Sequence, residues 1–214
     1  MEDSSVNIAS GKQRPVTKLD EFRKTAAYYL TQPVVHLLAK TSITPNTITW
    51  LGFLLSAGAA ALIVTGHLLA AGLLVLVAGL FDLLDGALAR RTNQVTRFGA
   101  VLDSTLDRFA EVVLLLGILI LYVREQSALG ILLVGIALPS SLVVSYIRAR
   151  AEALGLDCKV GLFTRAERVI VLALGLLLSQ IDYALIIALC IIVLFSLFTA
   201  GQRLLHVWHQ TKLK

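Results

Sequence analysis

Six apolar stretches dominate the sequence and restrict the fold to a bundle of membrane helices. They cover roughly residues 46–66, 68–90, 98–123, 128–150, 166–182 and 184–206. A helix needs about 20 mostly apolar residues to cross the hydrocarbon core of a bilayer. Hydrophobic residues make up 57% of the chain and charged residues 15%, whereas charged residues are about 25% of a soluble domain. We therefore predict an all-α integral membrane protein with six transmembrane helices.

The residues before the first span divide into two segments. Residues 1–18 are polar and show no periodicity, which predicts a disordered cytoplasmic tail. In residues 19–41, apolar side chains recur at helical spacing among basic ones, which predicts an N-terminal amphipathic helix in the membrane interface. Residues 42–210 are then expected to form a single six-helix membrane domain.

The distribution of basic residues predicts the orientation in the membrane. When both termini are placed on one side, Arg124 alone among the 19 lysines and arginines falls on the other side. Cytoplasmic loops carry the excess of Lys and Arg, so both termini and the loops at 91–97 and 151–165 are expected in the cytoplasm. This predicts a multi-pass protein of the cell's inner (plasma) membrane. The net charge of +5 favours anionic lipids and substrates and requires no nucleic acid.

Four aspartates lie inside the predicted second and third spans. They are Asp82, Asp85, Asp103 and Asp107. An ionised carboxylate near mid-bilayer costs about 2.5–3.5 kcal/mol, so four unpaired ones would cost on the order of 10 kcal/mol. The few arginines nearby in the sequence supply too little positive charge to offset this cost. Bound divalent metal is the simplest source of the missing charge.

The spacing of these aspartates places them in two pairs. Asp82 and Asp85 are three residues apart, and Asp103 and Asp107 are four apart, so each pair shares a helix face. A short polar turn joins the two helices, which predicts antiparallel neighbours with the pairs facing across one seam. Mg²⁺ and Mn²⁺ prefer oxygen ligands. Four carboxylates can hold two such ions in the arrangement that clamps a phosphoryl group.

This segment resembles the signature of the CDP-alcohol phosphotransferase family. The signature reads D-x2-D-G-x2-A-R-x8-G-x3-D-x3-D, and every fixed residue and gap is present between Asp82 and Asp107. The resemblance implies an enzyme of phospholipid biosynthesis that moves a phosphatidyl or related group from a CDP-linked donor to an alcohol and releases CMP. It also implies a homodimer.

The resemblance also assigns roles to single residues. All four aspartates would bind two divalent ions, Mg²⁺ or Mn²⁺. Asp107, one turn deeper than Asp103, would in addition be the general base on the acceptor hydroxyl. The residues expected to make room for and bind the donor nucleotide are Gly86, Ala89, Arg90 and Gly99.

A group of arginines predicts that the acceptor carries a phosphate, because the guanidinium fork binds phosphate oxygens in pairs. The group comprises Arg148, Arg165, Arg168 and Arg203. The preference for basic cytoplasmic loops would also place arginines here, but the interleaved Glu152 and Glu167 favour a fixed ionic network. Residues 145–155 and 165–168 resemble those of actinobacterial phosphatidylinositol-phosphate synthases, except for Arg148 in place of a frequent Lys and Ala166 in place of Pro. We therefore expect inositol 1-phosphate as acceptor, with glycerol 3-phosphate as the alternative.

Two other classes stay open from the sequence. A Mg²⁺-dependent membrane prenyltransferase also uses aspartates in a helical bundle, but a second Asp-rich segment is missing from this sequence. An ion transporter also carries intramembrane acids. Such proteins show repeats or broken helices, and neither is evident in this sequence. On the favoured interpretation, the partners are CDP-diacylglycerol, a soluble phosphorylated polyol, the lipid bilayer and a second copy of the chain.

Overall fold

The structure is a computed structural model that describes residues 32–212, and these residues are helical apart from turns and short loops. Residues 32–38 form a helical segment, α1. The longer helices are α2 (Pro45–Val64), α3 (Leu68–Arg91), α4 (Arg97–Arg124), α5 (Ala128–Ala153), α6 (Arg165–Leu177) and α7 (Ala184–Lys212). The predicted tail at 1–18 and most of the predicted amphipathic helix at 19–41 lie outside the described residues.

Side-chain caps define where several of these helices begin. Thr44 caps α2 directly before Pro45, which occupies the first helical position. The hydroxyl of Thr96 accepts from the backbone N–H of Gly99 at 2.9 Å and starts α4. At the start of α6, Glu167 accepts from the backbone N–H of Thr164 at 2.7 Å. Each cap satisfies a backbone donor that the first helical turn leaves unpaired.

The helices coincide with the six predicted apolar stretches, although two ends differ. α6 ends at Leu177 instead of near 182, because turns occupy residues 178–183. α7 continues to Lys212, beyond the predicted end at 206. Within residues 32–212, the helices long and apolar enough to cross a membrane are α2, α3, α5 and α7. The chain is therefore a multi-pass membrane protein.

The other two helices, α4 and α6, fall outside this group for two different reasons. α6 has only 13 residues. α4 has 28 residues but carries acidic and basic side chains over its first half. Both helices supply the polar groups of the site described below.

The six long helices close into a ring in which each packs against two neighbours. The order around the ring is α2, α3, α6, α7, α5, α4 and back to α2. α4 and α6 therefore stand on opposite sides of the ring. α3 and α4 each pack against α2 more extensively than against each other, so the predicted direct packing of α3 on α4 is wrong, although aspartates of the two helices do lie close together.

Small side chains explain why α2 fits between α3 and α4. A Cβ on Gly52 of α2 would lie 3.4 Å from Phe81 of α3. A Cβ on Gly117 of α4 would lie 3.0 Å from the backbone oxygen of Ala60 of α2. Close backbone approach at such glycines is the usual basis of helix packing in membranes.

The interior of the ring is apolar at one end and polar at the other. The apolar end is filled by a buried cluster from α2 to α7, which includes Ile63, Ala71, Ile118, Val134, Leu176 and Leu189. Large apolar side chains also cover much of the outer surface, among them Leu54, Leu132 and Leu194, as expected for helices in contact with lipid. The aspartates and arginines singled out in the sequence lie at the opposite end of the interior.

Candidate active site

Three of the four aspartates form a cluster suited to a divalent cation. Asp82, Asp85 and Asp103 each offer a carboxylate oxygen, and these oxygens lie within 4.8 Å of one another. Asp85 is only 5% exposed, and its Oδ2 has no hydrogen-bond partner within the described part of the chain. A buried anionic oxygen without a donor is costly, and a bound cation would remove that cost. These residues therefore fit the predicted metal.

The fourth aspartate is held by an arginine. The Oδ1 of Asp107 lies 2.6 Å from Nη1 of Arg165, and the same nitrogen donates to Oδ2 of Asp82 at 2.8 Å. Arg165 was predicted to bind the acceptor phosphate. The structure places its guanidinium between two of the four carboxylates, at the border between the metal cluster and the arginine group.

A cavity of about 310 Å³ lies on one side of the aspartate cluster. The four residues predicted to contact the donor nucleotide all line it: Gly86, Ala89, Arg90 and Gly99. A Cβ on Gly99 would lie 2.9 Å from the hydroxyl of Thr96 and 3.2 Å from Oδ1 of Asn46, so glycine keeps this wall free of crowding. Polar residues not assigned to the nucleotide in the sequence also line it, namely Asn46, Thr49, Gln94 and Thr96.

A second cavity, of about 330 Å³, lies on the other side of the cluster. All four predicted acceptor arginines line it: Arg148, Arg165, Arg168 and Arg203. We call it the arginine cavity. Asp107 also lines it, and Asp103 lines both cavities. A ligand in each would therefore meet the other beside the carboxylates.

The arginines are fixed by groups of the protein itself. Nε of Arg148 pairs with Glu152 at 2.8 Å. Arg203 is buried and donates to two backbone oxygens, that of Val160 at 2.9 Å and that of Val144 at 2.5 Å. Arginines anchored in this way keep a defined position toward a ligand.

Part of the predicted ionic network is the pair of Arg148 and Glu152. Glu167 accepts from the backbone N–H of Thr164 and caps α6. Glu111, which the sequence reasoning missed, binds Arg168 through two hydrogen bonds. The sequence feature that could have indicated Glu111 is its position one helical turn after Asp107, on the same helix face.

Comparison with known proteins matches this arrangement to one family. The model of the CDP-alcohol phosphatidyltransferase family matches residues 42–204. The chain is 38% identical to the archaetidylinositol phosphate synthase of Methanothermobacter thermautotrophicus over 196 residues, which cover 91% of this chain and 96% of that protein. It is 37% identical to the phosphatidylinositol phosphate synthase of Mycobacterium tuberculosis over 202 residues, which cover 90% and 92% respectively.

Crystal structures of the M. tuberculosis synthase have the same fold. The structure with CDP-DAG bound gives a TM-score of 0.76 at 36% identity and covers 83% of this chain and 93% of that one. The complex with manganese and citrate gives a TM-score of 0.77 at 36% identity, with 83% and 88% covered. Fold, signature and sequence similarity over most of the chain thus agree. The chain belongs to the CDP-alcohol phosphatidyltransferase family.

Proposed function

We propose that the chain transfers a phosphatidyl group from CDP-diacylglycerol to inositol 1-phosphate and releases CMP, as a step of phospholipid biosynthesis. The observation that carries this proposal is the pair of cavities that share Asp103. A donor nucleotide in the first cavity would bring its diphosphate to the aspartates. An acceptor whose phosphate contacts the arginines would direct its hydroxyl toward Asp107.

The acceptor is inferred from charge and from relatives. Five arginines line this cavity, the four predicted ones and Arg108, and they favour an anionic acceptor over serine or free inositol. Relatives at 37–38% identity are named as synthases of phosphatidylinositol phosphate and archaetidylinositol phosphate. The archaeal name points to a second possible donor, a CDP-linked ether lipid, which suits the apolar outer surface equally well.

The proposed reaction is a substitution at phosphorus. The acceptor hydroxyl oxygen forms a bond to the phosphorus of the phosphatidyl group, and the bond from that phosphorus to the bridging oxygen of CMP breaks. CMP leaves with the electron pair of that bond. Asp107, which lines the arginine cavity, accepts the hydroxyl proton as general base.

The aspartates hold the divalent cations that this family uses. Asp82, Asp85 and Asp103 would hold one ion, and Asp107 would contribute to a second. When bound, Mg²⁺ or Mn²⁺ polarises the diphosphate and offsets the charge that develops on the leaving CMP. Arg165 contacts both Asp82 and Oδ1 of Asp107, so its guanidinium holds the proposed base in place beside the aspartate cluster.

The topology belongs to the same proposal. α4 and the segment 166–182, which contains most of α6 and the turns after it, would also cross the membrane, with their charged groups inside the ring and away from lipid. Both termini and both cavities would face the cytoplasm at the plasma membrane, in line with the basic residues. The family match at 42–204 supports a membrane domain at 42–210, preceded by the tail at 1–18 and the interfacial helix at 19–41. A homodimer is expected from the family resemblance.

The direct test is release of CMP by the purified protein with CDP-diacylglycerol and Mg²⁺ or Mn²⁺. Inositol 1-phosphate, glycerol 3-phosphate, free inositol and serine are offered separately, and the series is repeated with a CDP-linked ether lipid. We expect release with inositol 1-phosphate. Release with glycerol 3-phosphate alone would keep the mechanism and overturn the acceptor. Release with free inositol or serine alone would remove the role of the arginines.

A further inference from the structure

A carboxylate outside the family signature holds one of the arginines. Glu111 on α4 is 6% exposed and Arg168 on α6 is 2% exposed. Oε1 of Glu111 accepts from Nε of Arg168 at 2.5 Å, and Oε2 accepts from Nη2 at 2.8 Å. This two-point contact fixes both the position and the plane of the guanidinium.

The contact spans the interior of the ring. α4 and α6 lie on opposite sides of it, and neither has the other as a main packing neighbour. Asp107 and Arg165 form a second ion pair between the same two helices, one turn nearer the start of each helix. The two ion pairs therefore set the distance across the cavity between the proposed base on α4 and the arginines on α6.

The contact leaves one nitrogen of Arg168 uncommitted. Nη1 is buried and has no hydrogen-bond partner in residues 32–212. Arg168 is one of the residues that line the arginine cavity. A buried guanidinium N–H without an acceptor is costly, and a phosphate oxygen in the cavity is the type of acceptor that it lacks.

We infer that Glu111 is a positioning residue for the acceptor: it orients Arg168 so that Nη1 donates to the acceptor's phosphate. The inference rests on the proposed function, because it assigns Glu111 to the acceptor half of that same site. Glu111 acts through Arg168 and touches no substrate. Its loss should therefore weaken acceptor binding while binding of the nucleotide donor is largely preserved.

The test compares Glu111→Gln with the wild type and with Glu125→Gln, a control on an exposed residue at the far end of α4. Glutamine keeps the size of the side chain but removes the charge and one acceptor oxygen. We expect the KM for inositol 1-phosphate to rise about tenfold or more, the scale of one charge-assisted hydrogen bond. The KM for CDP-diacylglycerol should change by less than about twofold, well below that scale. A purely structural role would lower the amount of active enzyme and leave both KM values unchanged.

Arg168→Lys supplies a second route if Glu111→Gln does not fold. Lysine keeps the charge but cannot make the two-point contact, so the same selective rise in acceptor KM is expected. The acceptor KM of the Glu111→Gln, Arg168→Lys double variant should not exceed that of the more affected single variant, because both changes break the same ion pair. Equal changes in donor and acceptor KM, or additive effects in the double variant, would overturn the inference.

Direct binding separates this inference from the proposed function. Inorganic phosphate is titrated calorimetrically into wild type and Glu111→Gln, each loaded with Mn²⁺. Weaker phosphate binding by the variant supports the positioning role even if the wild type releases CMP with no tested acceptor. Equal phosphate binding by both proteins would overturn the role of Glu111, whichever acceptor the enzyme uses.

Discussion

The guanidinium of Arg165 on α6 lies 2.6 Å from the carboxylate of Asp107 on α4, across the interior of the helix ring. The two side chains were predicted for different tasks, phosphate binding and proton transfer. Their contact, together with the contact from Arg165 to Asp82 at 2.8 Å, places a positive charge among the metal-binding carboxylates. We therefore expect Arg165 and a divalent cation to compete for these carboxylates.

The first prediction concerns this competition. Arg165→Gln should strengthen the binding of Mn²⁺ in the absence of substrates, because the carboxylates lose a positive neighbour. The groups are partly exposed, so we expect a gain of about fivefold, on the order of 1 kcal/mol. Transfer activity should fall, because Arg165 also lines the arginine cavity.

Free Mn²⁺ measured by electron paramagnetic resonance gives the affinity directly. Arg148→Gln is the matched control, because Arg148 lines the same cavity but pairs with Glu152 outside the aspartate cluster. If Mn²⁺ affinity falls in Arg165→Gln, or rises equally in both variants, Arg165 does not compete with the metal.

The second prediction concerns the buried pair of Glu111 and Arg168. Arg168→Leu leaves a buried carboxylate without its partner, which should cost about 3–5 kcal/mol of stability. Replacing both residues by leucine should restore much of that loss, since two apolar side chains of similar size replace the pair. The double variant should still fail to use the acceptor, because the guanidinium is missing.

Thermal unfolding in detergent, followed by circular dichroism, measures these stabilities. Arg148→Leu is the control for loss of an arginine, because its pair with Glu152 is half exposed and should be worth at most about 1 kcal/mol. A double variant less stable than Arg168→Leu would contradict the account of the buried pair.

The third prediction concerns the loop between α5 and α6. Gly155 and Gly161 both have positive φ, +73° and +139°, so alanine is strained at either position. A Cβ on Gly161 would also lie 2.9 Å from Thr199 and 3.1 Å from Nε of Arg203, whereas nothing lies within 4 Å of one on Gly155. Gly161→Ala should therefore displace Arg203 and raise the acceptor KM severalfold, while Gly155→Ala should cost only about 1–3 kcal/mol of stability.

Steady-state kinetics with varied acceptor, alongside thermal unfolding, distinguish the two glycine variants. The same acceptor KM in both would mean that crowding against Arg203 has no effect on the cavity.

Local sequence patterns predicted most of the helices, and the family resemblance and the arginine group predicted some of the residues that line each cavity. The apolar stretches set the helix positions, because each pattern depends on residues close together in the chain. The i, i+3 spacing placed Asp82 and Asp85 on one face of α3, and the family signature added Asp103, which joins them from α4. The arginines also came together as predicted, because they all lie near one end of the bundle.

Contacts between distant parts of the chain were not predictable in this way. The insertion of α2 between α3 and α4 depends on where small residues meet large ones across helices, as Gly117 does with Ala60. The partner of Arg168 is 57 residues away, and no local pattern links Glu111 to it. The bridge from Arg165 to Asp107 likewise follows from the ring order, which sequence periodicity does not specify.

The most direct test of the account follows the product lipid in wild type and in Asp107→Asn. Each protein receives CDP-diacylglycerol, Mg²⁺ and inositol 1-phosphate labelled in its phosphate, and radioactivity is counted in the chloroform extract. Asp182→Asn, an exposed acid in the turn before α7, is the control. We predict labelled lipid from wild type and control, and at least about 10²-fold less from Asp107→Asn, with donor binding and folding retained. Unlabelled lipid from the wild type, or an active Asp107→Asn enzyme, would contradict the account.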